Sequence, residues 1–145
     1  MRVAFSVADV CALASEPVTR RYDLVLDSYC LQSIVIDEDR RALFSAVRAR
    51  LKPSRYYVIS TALRVPRRED EPGFSYDATT GILYQEVPAD SVVDHVVEIN
   101  RRWHIPHRRH LTADALRDEL VSVGFHLLSL ESSDSADVVC RLGPS

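Results

Sequence analysis

Glycine is scarce in this 145-residue chain: Gly73, Gly81, Gly124 and Gly143 are the whole set, and no two lie within five residues of each other. A phosphate-cradling loop of the P-loop or dinucleotide type needs closely spaced glycines, so both are excluded. Lysine is scarcer still; Lys52 is the only one among 18 basic residues, a skew read as coding composition rather than function. The three cysteines, Cys11, Cys30 and Cys140, form no CxxC pair. An odd count without metal-ligand spacing fits a reducing cytoplasm better than a disulfide scaffold. No apolar run approaches the about 20 residues that span a bilayer. The formal net charge is -3, which gives no bulk attraction to polyanions. With 46% hydrophobic and 27% charged residues in 16.4 kDa, the composition is that of one globular domain rather than a disordered chain.

The N-terminal stretch MRVAFSVADVCALASEP has the superficial look of a secretion signal, but Asp9 interrupts it. The alternation of Val3, Phe5 and Val7 predicts a strand instead. A bounded apolar run, Tyr22 to Asp27, predicts a buried parallel strand. Residues 37–52 predict a helix, with Asp37 as cap, Glu38 and Asp39 at the positive end of its dipole, and Leu43, Phe44, Val47 and Leu51 on its inner face. Pro53 stops that helix, and the β-branched and aromatic run Tyr56 to Leu63 predicts the next strand. After a charged, proline-bearing loop at 64–72, Phe74 to Val87 predicts a hairpin turning at 77–81, and Val92 to Ile99 a further strand. Residues 100–110 predict a basic, histidine-rich loop. A second helix runs from Leu111 to Gly124, with Thr112 as cap and Leu111 and Leu116 as a hydrophobic staple. Two closing strands, His126 to Glu131 and Val138 to Leu142, form an antiparallel edge. Alternating strands and helices predict an α/β domain with a mainly parallel sheet.

The block YDLVLDSYCLQSIVIDEDRRALFSAVRARLKPSRYYVIST resembles the centre of class I S-adenosylmethionine-dependent methyltransferases: a strand ending in an acid, an acid-capped helix, Leu-Lys-Pro and a strand. VADVCAL resembles the segment in which an Asp at a strand end meets the adenine amino group, and LTADALRDELVSVGFHLLSLE resembles the last helix with its Gly-Phe passage to a strand. The resemblance covers residues 3–63 and 111–142. It implies a partial Rossmann-like methyltransferase sheet over 1–145, mainly parallel with an antiparallel last strand, and a β-hairpin insertion within 64–110. The family's first two strands and its glycine loop have no counterpart here. The resemblance is therefore to the C-terminal half to two-thirds of the domain, as in a fragment or one part of a split enzyme. Ser54-Arg55 stands in place of the usual Gly-Gly after Leu-Lys-Pro, and Gln32-Ser33 where histidines are frequent.

The same resemblance implies site residues. Asp9 and the Val10 backbone would meet adenine, and Asp27, Ser28 and Tyr29 would lie at the cofactor-facing end of a central strand, where ligands of open α/β sheets bind. Asp27, Tyr29 and His107 are the candidates for a general base or a group facing the sulfonium. The plainer alternatives are a capping acid for Asp9 or Asp27, a half-buried aromatic for Tyr29, and a small buried hydrophobe for Cys30. The cluster Arg101, Arg102, His104, His107, Arg108, Arg109 and His110, with Trp103 among it, has three readings: a metal site, a nucleic-acid surface, or a solvated loop beside the substrate entrance. Pro106 breaks any helical face, and the solvated loop is preferred, so neither a metal nor nucleic acid is expected. The implied activity is methyl transfer from S-adenosylmethionine to a small-molecule acceptor. A second chain could supply the missing strands, and the alternative is a non-catalytic module pairing through an exposed sheet edge.

Overall fold

The computed structural model describes residues 2–68 and 71–143; residues 69 and 70 of the charged 64–72 loop lie outside the described residues. It is a mixed α/β structure with two four-stranded sheets. The first sheet holds β1 (Tyr22–Ser28), β2 (Leu51–Ala62), β8 (Ser135–Leu142) and β7 (Phe125–Ser132), in the spatial order β1-β2-β8-β7. Only β1 and β2 run parallel there; β8 is antiparallel to both its neighbours. The second sheet, in the order β3-β4-β6-β5, is antiparallel throughout and comprises β3 (Phe74–Asp77), β4 (Ile82–Glu86), β5 (Val97–Ile99) and β6 (Arg102–Arg109). The expectation of a mainly parallel sheet therefore gives way to one parallel pair, because β1 ends its sheet and has no further partner among the described strands.

Two helices, α1 (Asp37–Arg50) and α2 (Ala113–Ser122), cover one face of the first sheet. The buried set follows the strand period. Tyr57, Ile59, Ala136, Val138, Cys140 and Phe125 point inward and meet Phe44 and Val47 of α1 and Leu116 and Leu120 of α2. Burying such side chains contributes about 1.5–3 kcal/mol apiece, so this layer dominates the fold's stability. Phe125 packs edge-on to Phe44 and tilted against Tyr57, with ring centroids 6.2 and 5.3 Å apart. No helix is long and apolar enough to cross a membrane among the described residues.

Several local expectations are corrected. Residues 3–7 form no strand, and Val3, Phe5 and Val7 are exposed. Alternation makes a strand only when a neighbour completes the hydrogen bonds, and none of the described strands lies beside this segment. Asp37 is the first helical residue, not the cap; Ile36 holds the extended cap position and offers no side-chain acceptor. The helix ends at Arg50, and Leu51 already pairs with Tyr22. Pro53 is then accommodated within β2, beside a register shift and a positive φ of 59° at Ser54. The strand expected over 92–99 is confined to Val97–Ile99.

The largest correction is at 100–110, which is strand β6 from Arg102 rather than a loop. Proline and charge suggested a loop, but Pro106 sits next to a bulge, where a missing N–H costs no ladder bond. The flanking arginines find carboxylates: Arg102 meets Glu86, and Arg109 meets Asp37. Thr112 does cap α2, accepting from the Ala115 N–H at 3.2 Å. Gly81 turns the β3–β4 hairpin at a φ of 77°, and its Cα faces Leu111 so closely that a Cβ would lie 2.7 Å from Leu111 Cδ2.

Candidate functional site

β1 delivers its last residues to a short connection, Tyr29–Ile36, that leads into α1. Asp27 is the hinge of that connection. It is 7% exposed, and its Oδ1 accepts from the N–H groups of Cys30 (2.9 Å) and Leu31 (3.3 Å). Its Oδ2 accepts from the Tyr57 hydroxyl at 3.4 Å. Burial raises the Asp27 carboxyl above its ordinary value despite these bonds, and burial with the nearby Asp27 charge drives the Tyr57 phenol well above its own. Tyr57 therefore remains a donor. Next in the chain, Tyr29 adopts a φ of 58°, a left-handed conformation that is costly for a non-glycine residue and tends to mark functional turns. Its N–H donates to Ser60 O at 2.8 Å, and its ring is half exposed.

Three further residues, none of which sequence reasoning gave this role, fix the same connection. Arg40 of α1 is 3% exposed; its Nη1 donates to Leu31 O (2.8 Å) and Ile34 O (2.7 Å). Its Nε and Nη2 form a two-point pair with Glu119 of α2 at 2.6 and 2.7 Å. Gln32 Oε1 accepts from Ala62 N at 2.6 Å. From the second sheet, Arg109 donates to Val35 O (3.0 Å), to Thr80 O (2.9 Å) and to Asp37. The connection is thus held by β2, both helices and β6, and β6 packs against its Leu31–Ser33 turn. A helical arginine whose partner lies 79 residues away leaves no local trace in sequence.

A cavity of about 370 Å³ opens beneath the free side of β1. Val10, Asp27, Ser28 and Cys30 line its upper end, and Leu24, Val25, Leu43 and Val47 its apolar wall. The structure therefore brings together Val10, Asp27 and Ser28. Asp9 lies outside this lining, exposed, and its Oδ1 accepts from Cys11 N at 2.9 Å. The turn that follows is tied to α1 through Arg50, whose Nη2 donates to Leu13 O at 2.8 Å. Cys30 stays a thiol, its pKa raised by burial and by Asp27, and burial pushes Cys140 up to about 12.

His107 lies apart from this cavity, on β6. The β4–β6 ladder passes from Leu83 and Arg108 to Tyr84 and Pro106, so His107 is the extra residue of a bulge, a device that re-aims a side chain. Its ring meets Phe74 at 5.6 Å between centroids, and burial with the Arg108 charge lowers its pKa, keeping the imidazole neutral. His104 is buried, its Nδ1 3.1 Å from Arg102 O. Among the described residues, no three His, Cys, Asp or Glu side chains are grouped to hold a metal ion.

Asp27 makes a pH-dependent contribution whose sign is fixed. A carboxyl raised in the folded state adds stability below its unfolded pKa, and that stability is lost as pH rises through the folded value. Asp27→Asn keeps an acceptor for the Cys30 and Leu31 N–H groups. Urea denaturation should show the variant gaining on the wild type as pH rises above the ordinary carboxylate range of about 4. A difference that does not change with pH would contradict the assignment.

No family model matches the chain. No curated protein matches it either. Solved structures do. A S-adenosylmethionine-dependent methyltransferase from Clostridium acetobutylicum aligns over 91% of this chain and 63% of its own, with 13% identity and a TM-score of 0.58. The CcbJ methyltransferase from Streptomyces caelestis aligns over 91% and 62%, with 14% identity and a TM-score of 0.60. The glycopeptide N-methyltransferase MtfA, in complex with S-adenosyl-L-homocysteine, aligns over 90% and 58%, with 22% identity and a TM-score of 0.54. The chain thus shares its fold with part of these methyltransferases and spans less than two-thirds of their length.

Proposed function

We propose that the chain is the acceptor-side part of a S-adenosylmethionine-dependent methyltransferase acting on a small molecule, and that it works together with strands lying beside β1. The observation that carries this is the convergence of Val10, Asp27 and Ser28 on one cavity that runs along β1 from Tyr22 to its carboxyl end, in a fold shared with part of such enzymes. Ligands of open α/β sheets bind at such strand ends because the connecting loops splay there.

The residues present fit one half of the cofactor. Asp9 offers a carboxylate beside the cavity for an exocyclic amine, Val10 and Leu24 offer apolar wall, and Ser28 a hydroxyl. The four glycines all lie elsewhere, so no tight backbone cradle for the methionine half is built by these residues. Strands added at the free side of β1 would carry it. When bound, the cofactor supplies an electrophilic methyl group on a sulfonium. This chain's part would be to hold the acceptor in line with that methyl group. Alignment rather than a fixed triad does most of that work. Asp27, with both oxygens engaged, positions the connection that carries Tyr29, whose half-exposed ring, outside the cavity lining, is the aromatic candidate for meeting a cation. His107, on the second sheet and kept neutral, is the candidate for removing a proton from an acceptor bound on that side. The second sheet, packed on the same connection through β6, forms the acceptor side.

A second reading, a non-catalytic module that pairs with another chain, draws on the free edge of β1 and its exposed Leu24 and Leu26. Calorimetric titration separates the two. S-adenosylmethionine should show no saturation below about 1 mM with the 145-residue chain by itself, and micromolar binding once strands are supplied beside β1. Micromolar binding to the chain by itself, or none to the completed protein, would overturn the first reading.

A further inference from the structure

The second sheet stands apart from the main core. Among the described residues, no side chain of β3–β6 belongs to the apolar cluster that joins the first sheet to α1 and α2. Its attachment is of another kind. Gly81, in the hairpin turn, lies so close to Leu111 that no side chain would fit there, and the His110 N–H donates to Gly81 O at 2.8 Å. The Arg64 guanidinium sits over the Tyr76 ring, 4.9 Å from its centre. Neither contact fixes an angle. A single close approach is a pivot, and a cation is attracted to a ring over a range of positions.

Arg109 is different. Its side chain is only 12% exposed, and its donors reach three separate elements. Nε donates to Thr80 O of the hairpin turn at 2.9 Å. Nη1 donates to Val35 O of the connection after β1 at 3.0 Å and to Asp37 Oδ1 at the start of α1. The bond from Arg109 holds the Asp37 carboxyl below its ordinary range, so this contact is an ion pair at neutral pH. Arg109 shares its sheet face with Ile82 and Asp77, whereas Phe74 lies on the opposite face. His107, packed on Phe74, therefore faces away from Arg109 although only two residues separate them, which the bulge allows. We propose that Arg109 is a positioning residue: its guanidinium clasps the second sheet to the connection after β1 and sets the angle at which β6 presents His107. None of the clasp's groups lies on β1 or on the uncovered face of the first sheet. A planar guanidinium presents its donors as a rigid fork, and a lysine ammonium is a point charge on a flexible stem, so lysine does not replace arginine at such a site.

The consequence for an acceptor rests on the methyl-transfer reading, but the angle does not. The test contains no cofactor: failure of the cofactor titration would leave the angle as measured, and failure of the test would leave the titration standing. Amide residual dipolar couplings of the weakly aligned 145-residue chain measure how the two sheets are oriented. In the wild type both sheets should fit one common alignment. In Arg109→Met each sheet should still fit its own geometry, which establishes that both are folded, while the alignment strength of the second sheet falls about two-fold or more as it swings about Gly81. Arg109→Lys can reach Asp37 but cannot hold the Thr80 and Val35 carbonyls together with it, so its second sheet should fall between the two. If Arg109→Met does not fold, Arg109→Lys decides by the same couplings. Three results would each overturn the proposal: two alignments already in the wild type, a single alignment of full strength in Arg109→Met, or a second sheet in Arg109→Lys as well ordered as in the wild type.

Discussion

Arg40→Met is expected to destabilise the chain by about 3–5 kcal/mol, the usual result of removing one partner of a buried ion pair. Arg40 is 3% exposed and Glu119 20%, so the carboxylate left behind cannot simply return to water. The carbonyls of Leu31 and Ile34 also lose their donor. The double variant Arg40→Met/Glu119→Leu should recover a large share, because an apolar pair replaces a charged one, while the two bare carbonyls keep the recovery incomplete. Urea denaturation measures both. A single variant within 1 kcal/mol of wild type, at about the precision of the method, would show that the pair does not hold the connection.

The second large effect concerns the cofactor. In a form of the protein completed by strands beside β1, Asp9→Asn should weaken S-adenosylmethionine binding about ten-fold or more. Asparagine keeps the shape but gives up the charge of a hydrogen bond worth roughly 1.5–3 kcal/mol. The Asp9 Oδ1 already caps Cys11, which fixes the carboxylate next to Val10 and the cavity. Trp103→Ala, on the exposed start of β6, serves as the control and should leave affinity within about two-fold, as should a chelator. Normal binding by Asp9→Asn, or loss of binding with the chelator, would move the site away from Asp9 and toward the histidine-rich strand.

What the sequence disclosed and what it concealed divide by the range of the interactions involved. The two helices were legible because dipole and inner-face patterns are local: Leu43, Phe44 and Val47 are buried as their spacing predicts, although Ile36 rather than Asp37 holds the cap position and β2 already begins at Leu51. The hairpin at 74–86 was legible through Gly81. Strand β6 was not, because its arginines and Pro106 look like loop until Asp37, Glu86 and the bulge are in place, and those partners come from elsewhere in the chain. The opposite error fell on Val3, Phe5 and Val7, where a correct strand period met no partner strand. At the site, Asp27 stood out as a strand-end acid, but its capping of Cys30 and Leu31 was one of two readings that sequence could not separate. Arg40, Gln32 and Tyr57 act through contacts with other elements, and their roles in holding the connection were not legible.

The most direct test of the account is an amide-resolved NMR titration of the 145-residue chain with S-adenosyl-L-homocysteine, the product form that does not react. The account predicts weak, fast-exchange binding with a dissociation constant of about 1 mM or above, and shifts concentrated at Asp9, Val10, Ser28 and Tyr29. Unchanged spectra at several millimolar ligand, or shifts centred on β6 and not on the carboxyl end of β1, would contradict it.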